Sequence, residues 1–257
     1  MMTLLSAPTV IGPERRAPLL LLHALGADRR LWHDLAALLP DRTLLAYEFP
    51  GHGLAPMPDE PFTIHDLAEQ VAEALRTGGW GPAHVLGVSL GGLVAQDLAA
   101  HHPELVDALV LVDTVATYPP EQVARWQERA ALVRTAGTAP IIEATLQTWF
   151  TADFLATDSP QIELVRTMLT AVDPEGYARA CETLAGADTR ELVDRITAPT
   201  LVVCGDDDMP PFLEAARWLA ATIPQAGLCW LSPARHMGLL ELPQQLAAGL
   251  STFFDGR

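Results

Sequence analysis

Ala83-His84-Val85-Leu86-Gly87-Val88-Ser89-Leu90-Gly91-Gly92-Leu93-Val94 is an apolar run that ends in Gly-x-Ser-x-Gly and passes directly into a helical pattern, which stops at His102 against Pro103. Strand before and helix after are what this pentapeptide needs if its serine is to work as a nucleophile. A serine held in so tight a strand-to-helix turn takes a strained backbone, and glycines at the flanks let strand and helix approach. The hydroxyl then stands above the sheet at the positive end of a helix, where developing negative charge is stabilised.

Outward from that turn, short continuous apolar runs recur at 19–22, 43–47, 108–112, 200–204 and 227–231, each the size of a strand buried in a parallel sheet. Between them the spacing predicts helices over 31–39, 64–76, 92–102, 212–222 and 243–254, the second capped by Thr63 with Asp66. Alternation of this kind predicts an α/β class: a mostly parallel sheet with helices on both faces, and ligands beyond the carboxyl ends of the strands. After Asp113 it stops. Helical patterns follow at 122–134, 141–148, 162–170 and 174–184 with no strand between them, and the sheet pattern resumes only after Pro199. Residues 117–187 therefore read as a helical cap inserted into a core domain of 1–116 and 188–257. Trp126, Trp149, Phe150 and Phe154 gather in this insert.

Composition narrows the chemistry. The 257 residues are 49% hydrophobic and 19% charged, as in soluble globular proteins, and no apolar run approaches the roughly 20 residues that cross a bilayer. The start at Met1 lacks a basic and then apolar leader, so a cytoplasmic location is expected. A formal charge of -16 disfavours nucleic acid and anionic membrane as partners and leaves a small-molecule substrate. All 16 basic residues are arginine, which excludes Schiff-base lysine chemistry. Cys181, Cys204 and Cys229 are too scattered for a disulfide framework or a zinc site.

A serine hydroxyl needs a base within hydrogen-bond reach. Of eight histidines, His236 stands between the last strand and the last helix, which gives the chain order serine, acid, histidine expected on such a sheet. The acid is sought in Gly205-Asp206-Asp207-Asp208 after the strand at 200–204, with Asp113 at the end of the preceding strand as the runner-up. Two backbone N–H groups would face the oxyanion, one from Leu90 and one from the loop His23-Ala24-Leu25-Gly26, most simply Leu25, with the His23 side chain holding the loop.

Leu-Leu-His-Ala-Leu-Gly at Leu21, Phe-Pro-Gly-His-Gly at Phe49, Gly-Val-Ser-Leu-Gly-Gly at Gly87 and Arg-His-Met at Arg235 together resemble the α/β-hydrolase superfamily. Within it the chain is most similar to the 3-oxoadipate enol-lactonase family, a likeness that extends into the cap at Trp126 to Gly137, Trp149 to Phe154 and Asp173 to Cys181. The resemblance implies an α/β-hydrolase fold, an acid three residues after the glycine and hence Asp208, and no metal or cofactor. It also implies attack of Ser89 on a small enol-lactone carrying a free carboxylate, with turnover through an acyl-enzyme. The cap side chains it assigns to that carboxylate are Trp126, Trp149 and either Arg129 or Arg134; Trp126 and Arg129 share a helix face, and Arg134 lies near the helix end.

The sequence departs from the family in a short segment before His23, which leaves the first strand of the sheet open, in an acid loop about two residues shorter, and in Arg235 beside the base. Other readings are a carboxylesterase or C–C bond hydrolase with the same triad, and a binding protein that kept the pocket without catalysis.

Overall fold

The structure, a computed structural model, describes residues 8–11 and 17–255. Its strands are β1 (Thr9–Ile11), β2 (Leu19–Leu22), β3 (Leu44–Tyr47), β4 (Ala83–Val88), β5 (Val106–Val112), β6 (Thr200–Gly205) and β7 (Ala226–Leu231), in the order β1-β3-β2-β4-β5-β6-β7. Every pairing is parallel except that of β1 with β3. β1 is thus an antiparallel edge strand ahead of β2, and any strand before it would fall outside the described residues. β2, β3 and β4 are buried along their whole length, as strands covered on both faces must be. β7 corrects the expectation of a buried strand: it pairs only with β6, and Gly227 and Leu228 are exposed at that edge.

Flanking helices are α1 (His33–Leu38), α2 (Ile64–Gly78), α3 (Leu90–His101), α9 (Pro210–Thr222), α10 (Gly238–Glu241) and α11 (Pro243–Asp255). α2 packs on α3, α1 on α11, and α9 on β6 and β7. Thr63 and Asp66 form a reciprocal capping box at the start of α2. Among the described residues no helix is long and apolar enough to cross a membrane.

Between β5 and β6 the chain makes α4 (Pro120–Ala136), α5 (Ile142–Trp149), α6 (Ala152–Leu155), α7 (Pro160–Ala171) and α8 (Pro174–Ala185). The single turn of α6 has no counterpart in the sequence reading, because four residues are too few to show a period. α4 lies along α8, and an isolated bridge between Thr117 and Asp188 closes the base of the insertion.

This helical layer is fastened to the sheet domain on two sides. On one, Arg179 of α8 donates through Nη1 to the carbonyls of Pro58, Asp59 and Glu60 at 2.8, 2.9 and 3.0 Å, and Thr183 Oγ1 donates to the carbonyl of Phe62 at 2.7 Å. There Gly51 meets Gly176 so closely that a Cβ on Gly51 would lie 2.5 Å from the Gly176 Cα. On the other side, the N–H and hydroxyl of Thr151 donate to Glu241 Oε1 at 2.9 and 2.6 Å, while Glu241 Oε2 accepts the Arg235 N–H at 2.7 Å.

Candidate active site

Ser89 joins β4 to α3 with φ 54° and ψ -111°. That left-handed conformation costs about 1–3 kcal/mol for a residue with a Cβ, and its surroundings must over-determine it. They do so through hydrogen bonds: the Ser89 N–H donates to the Val112 carbonyl at 3.0 Å, and the Ser89 carbonyl accepts the Thr114 hydroxyl at 2.7 Å. The turn also requires glycine at two neighbours. A Cβ on Gly87 would lie 2.2 Å from the Gly91 carbonyl oxygen, and one on Gly91 would lie 2.0 Å from that of Leu22.

His236 sits in the loop between β7 and α10, and its Nε2 lies 3.1 Å from Ser89 Oγ. Its Nδ1 lies 2.9 Å from Asp208 Oδ2. A carboxylate can only accept, so Nδ1–H donates to Asp208 and the Nε2 lone pair faces the Ser89 hydroxyl. All three side chains are buried. The ring of Phe212 packs edge-on against His236 at 4.4 Å between centroids. Burial opposes a charge on His236, but the charge and hydrogen bond of Asp208, with the charge of Asp113, outweigh it and hold the imidazole above its ordinary value.

The acid loop aims Asp208 at His236, because its backbone is bound to the histidine loop. The N–H of Asp206 donates to Leu231 and that of Asp207 to Ala234, at 3.0 and 2.9 Å, and the Met209 N–H donates to Asp208 Oδ1 at 2.7 Å. Asp206 instead accepts the Ser232 hydroxyl at 2.5 Å, and Asp207 faces solvent. Asp113, also at positive φ, accepts the Gly205 N–H at 2.8 Å. Burial, with the nearby Asp208 charge, holds its carboxyl well above the usual carboxylate range. Arg235 does not point at the base: Nε donates to the carbonyl of Asp207 and Nη1 to that of Gln147, at 3.2 and 2.8 Å.

Leu90 is the first residue of α3, and its N–H is one of those a helix cannot satisfy internally. Leu25 lines the cavity above Ser89. His23 holds the Leu25 loop: its Nδ1 donates to the Ala24 carbonyl at 2.8 Å and its Nε2 accepts the Phe49 N–H at 3.0 Å. Burial pushes its imidazole down to about 4, and that of His52, packed against it, down to about 3. Both rings are therefore neutral structural groups.

Above Ser89 and His236 is a cavity of about 160 Å³ lined by Leu25, Gln122, Arg125, Trp126, Arg129, Thr145, Thr148, Trp149, Tyr177, Met209 and Phe212. Trp126, Arg129 and Trp149 are thus brought to it and Arg134 is not. Arg134 lies outside, donating through Nε to Glu175 at 2.7 Å and through Nη2 to Glu182 at 2.9 Å, so its charge is already matched. Arg129 donates only to the Tyr177 hydroxyl, at 3.3 Å, lies over the Trp126 ring at 5.6 Å, and has no carboxylate partner among the described residues. The sequence reading missed Arg125 and Gln122 on the same helix. Their signal is the helical repeat, since Arg125 precedes Arg129 by four residues and Gln122 precedes Arg125 by three.

The alpha/beta hydrolase fold family matches residues 17–243. The chain is similar to 3-oxoadipate enol-lactonase 2 of Acinetobacter baylyi, with 34% identity over 91% of this chain and 86% of that protein. It is also similar to the pimeloyl-[acyl-carrier protein] methyl ester esterase of Neisseria meningitidis serogroup C, at 30% identity over 95% of this chain and 96% of that protein. The crystal structure of the enol-lactonase from Burkholderia xenovorans LB400 superposes with a TM-score of 0.90 and 31% identity, covering 96% of this chain and 95% of that one. Matched along most of its length by both sequence and structure, the chain belongs to the alpha/beta hydrolase fold family.

Proposed function

We propose that this protein is a serine hydrolase that opens a small, carboxylate-bearing lactone or ester through an acyl-enzyme, most like 3-oxoadipate enol-lactone hydrolysis. The observation that carries the reading is one cavity with two ends. At its floor stand Ser89, His236 and Asp208 in hydrogen-bonded sequence, and at its wall is Arg129, an arginine without a carboxylate partner among the described residues, in a chain where Asp and Glu outnumber Arg 32 to 16. Arginine suits an organic carboxylate because its planar fork matches the two oxygens and stays charged at any relevant pH.

Ser89 Oγ attacks the substrate carbonyl carbon as its proton passes to His236 Nε2, and the oxyanion is held by the N–H groups of Leu90 and Leu25. Collapse breaks the ring C–O bond, and the enolate leaving oxygen takes the proton from His236 before relaxing to the ketone. Water then attacks the acyl-enzyme, giving its proton to His236, and the serine leaves with that proton as a second carboxylate is released. Asp208 keeps the imidazole in the required tautomer throughout.

The test pairs a carboxylate-bearing enol-lactone with an uncharged aryl ester of similar size. Wild type should favour the lactone, Ser89→Ala should lose on the order of 10⁴-fold in kcat on both, and an organophosphate should label Ser89. The apolar lining by Leu25, Trp126, Trp149, Met209 and Phe212 favours, as a second reading, a general carboxylesterase; preference for the uncharged ester would select it. An unlabelled Ser89 and no turnover of either would leave a binding protein.

A further inference from the structure

Toward the end of α3 away from Ser89 lies a polar cluster the proposed chemistry does not use. Asp97 and His101 stand one turn apart on α3, and His65 faces them from the start of α2. His65 Nδ1 and His101 Nδ1 both approach Asp97 Oδ1, at 2.9 and 2.8 Å, and the three atoms lie within 4.8 Å of one another. The carboxylate is buried at the root of the cluster, with a side-chain exposure of 6%, while the imidazoles open to solvent at 52% and 34%.

We propose that His65, Asp97 and His101 form a binding site for a divalent transition cation of the zinc type, which fastens α2 to α3. Two imidazole nitrogens and one carboxylate oxygen are a donor set such cations accept, with water completing the coordination. Tetrahedral ligands at about 2.0 Å from a metal stand about 3.3 Å apart, so each Nδ1 must draw back from Asp97 Oδ1 by about half an ångström. The two exposed histidines can give that much. On binding, each neutral ring presents its Nδ1 lone pair and carries its proton on Nε2, and a protonated ring releases one proton to solvent. Glu69 adds negative charge nearby: its Oε1 lies 3.9 Å from His65 Nε2 and accepts the His102 Nε2–H at 2.7 Å. The charges acting on His65 come from Asp97, Glu69 and Asp66, all of the sign that favours a cation. Arg76, the nearest guanidinium of α2, is held by Glu104 and His102 instead.

The site is separate from the proposed chemistry: His101 lies about 18 Å along α3 from Ser89, at about 1.5 Å per residue. Zinc chloride titrated calorimetrically into the chelator-treated full chain near neutral pH should bind once per chain. At a hundredfold excess over Kd it should raise the melting temperature by about 5 °C. His65→Gln and His101→Gln should each weaken binding by about tenfold or more, with hydrolase activity unchanged. X-ray absorption at the zinc edge should show two imidazoles. Absence of binding, or binding undiminished in the double variant, would overturn the proposal. So would a single bound zinc that abolishes turnover, because it would place the cation on His236 or among Asp113, Cys204 and Asp208.

Discussion

The main-chain N–H of Met237 donates to the carbonyl of Trp149 at 2.9 Å, so the residue next to the histidine facing Ser89 is bound to the last turn of α5. Trp149 also lines the cavity. The position of the imidazole and the shape of the space above it are therefore set by one shared contact.

Glu241 supports that contact from behind, accepting the N–H groups of Thr151 and Arg235. Glu241→Ala leaves both donors without their acceptor, at about 1–3 kcal/mol for each one cut off from water. Thermal denaturation should show a melting temperature lower by several degrees, about 2–4 °C per kcal/mol, and kcat should fall more than KM rises. Wild-type stability and kcat would mean that the Met237–Trp149 bond suffices alone.

For the acid, Asp208→Asn should lower kcat by about 10³–10⁴-fold, because the amide favours the wrong imidazole tautomer. Asp206→Asn and Asp207→Asn should cost far less. Asp113→Asn should also be mild, since asparagine keeps an oxygen for the Gly205 N–H. If steady-state kinetics show Asp113→Asn to be the damaging variant, the acid stands on β5.

The pH profile follows from His236. The base must be neutral to take the serine proton, and its imidazole is held above the ordinary value of about 6.5. Turnover should therefore rise with pH and reach half its plateau above that value, not below it. Asp208→Asn removes the main groups that raise the imidazole and leaves its burial, so the residual activity should have its acid limb at lower pH. Profiles of kcat/KM for the two proteins check both the position and the sign.

Arg129→Met should reduce kcat/KM for an anionic lactone by roughly 1.5–3 kcal/mol, the range for a hydrogen bond to a charged group, and leave uncharged esters nearly unaffected. Arg134→Met should leave both substrates alone, because that guanidinium already faces Glu175 and Glu182 outside the cavity. Equal losses on both substrates with Arg129→Met would indicate a packing defect.

The sheet and the serine turn were legible because each is local: an apolar run, a glycine-framed serine and a helical period leave their marks within a few consecutive residues. β1 was not, since three residues carry no period and its partner β3 lies more than thirty residues away. His236 could be chosen by chain order, but selecting Asp208 among three adjacent aspartates depended on family likeness. The structure distinguishes them by backbone N–H bonds of Asp206 and Asp207 to the carbonyls of Leu231 and Ala234 that no local pattern encodes. Arg129 and Arg134 could not be separated on the helix alone, because the glutamates that engage Arg134 come from α8. Asp97 and His101 bore a readable four-residue spacing, while His65 joins them only through the packing of α2 on α3.

Arg179 grips the loop beneath the cap through carbonyl oxygens of three successive residues and touches none of their side chains in doing so. Pro58, Asp59 and Glu60 can therefore be exchanged without releasing the grip, provided the backbone keeps its path. For a designer, that stretch is a position where surface charge can be rewritten while α8 stays anchored.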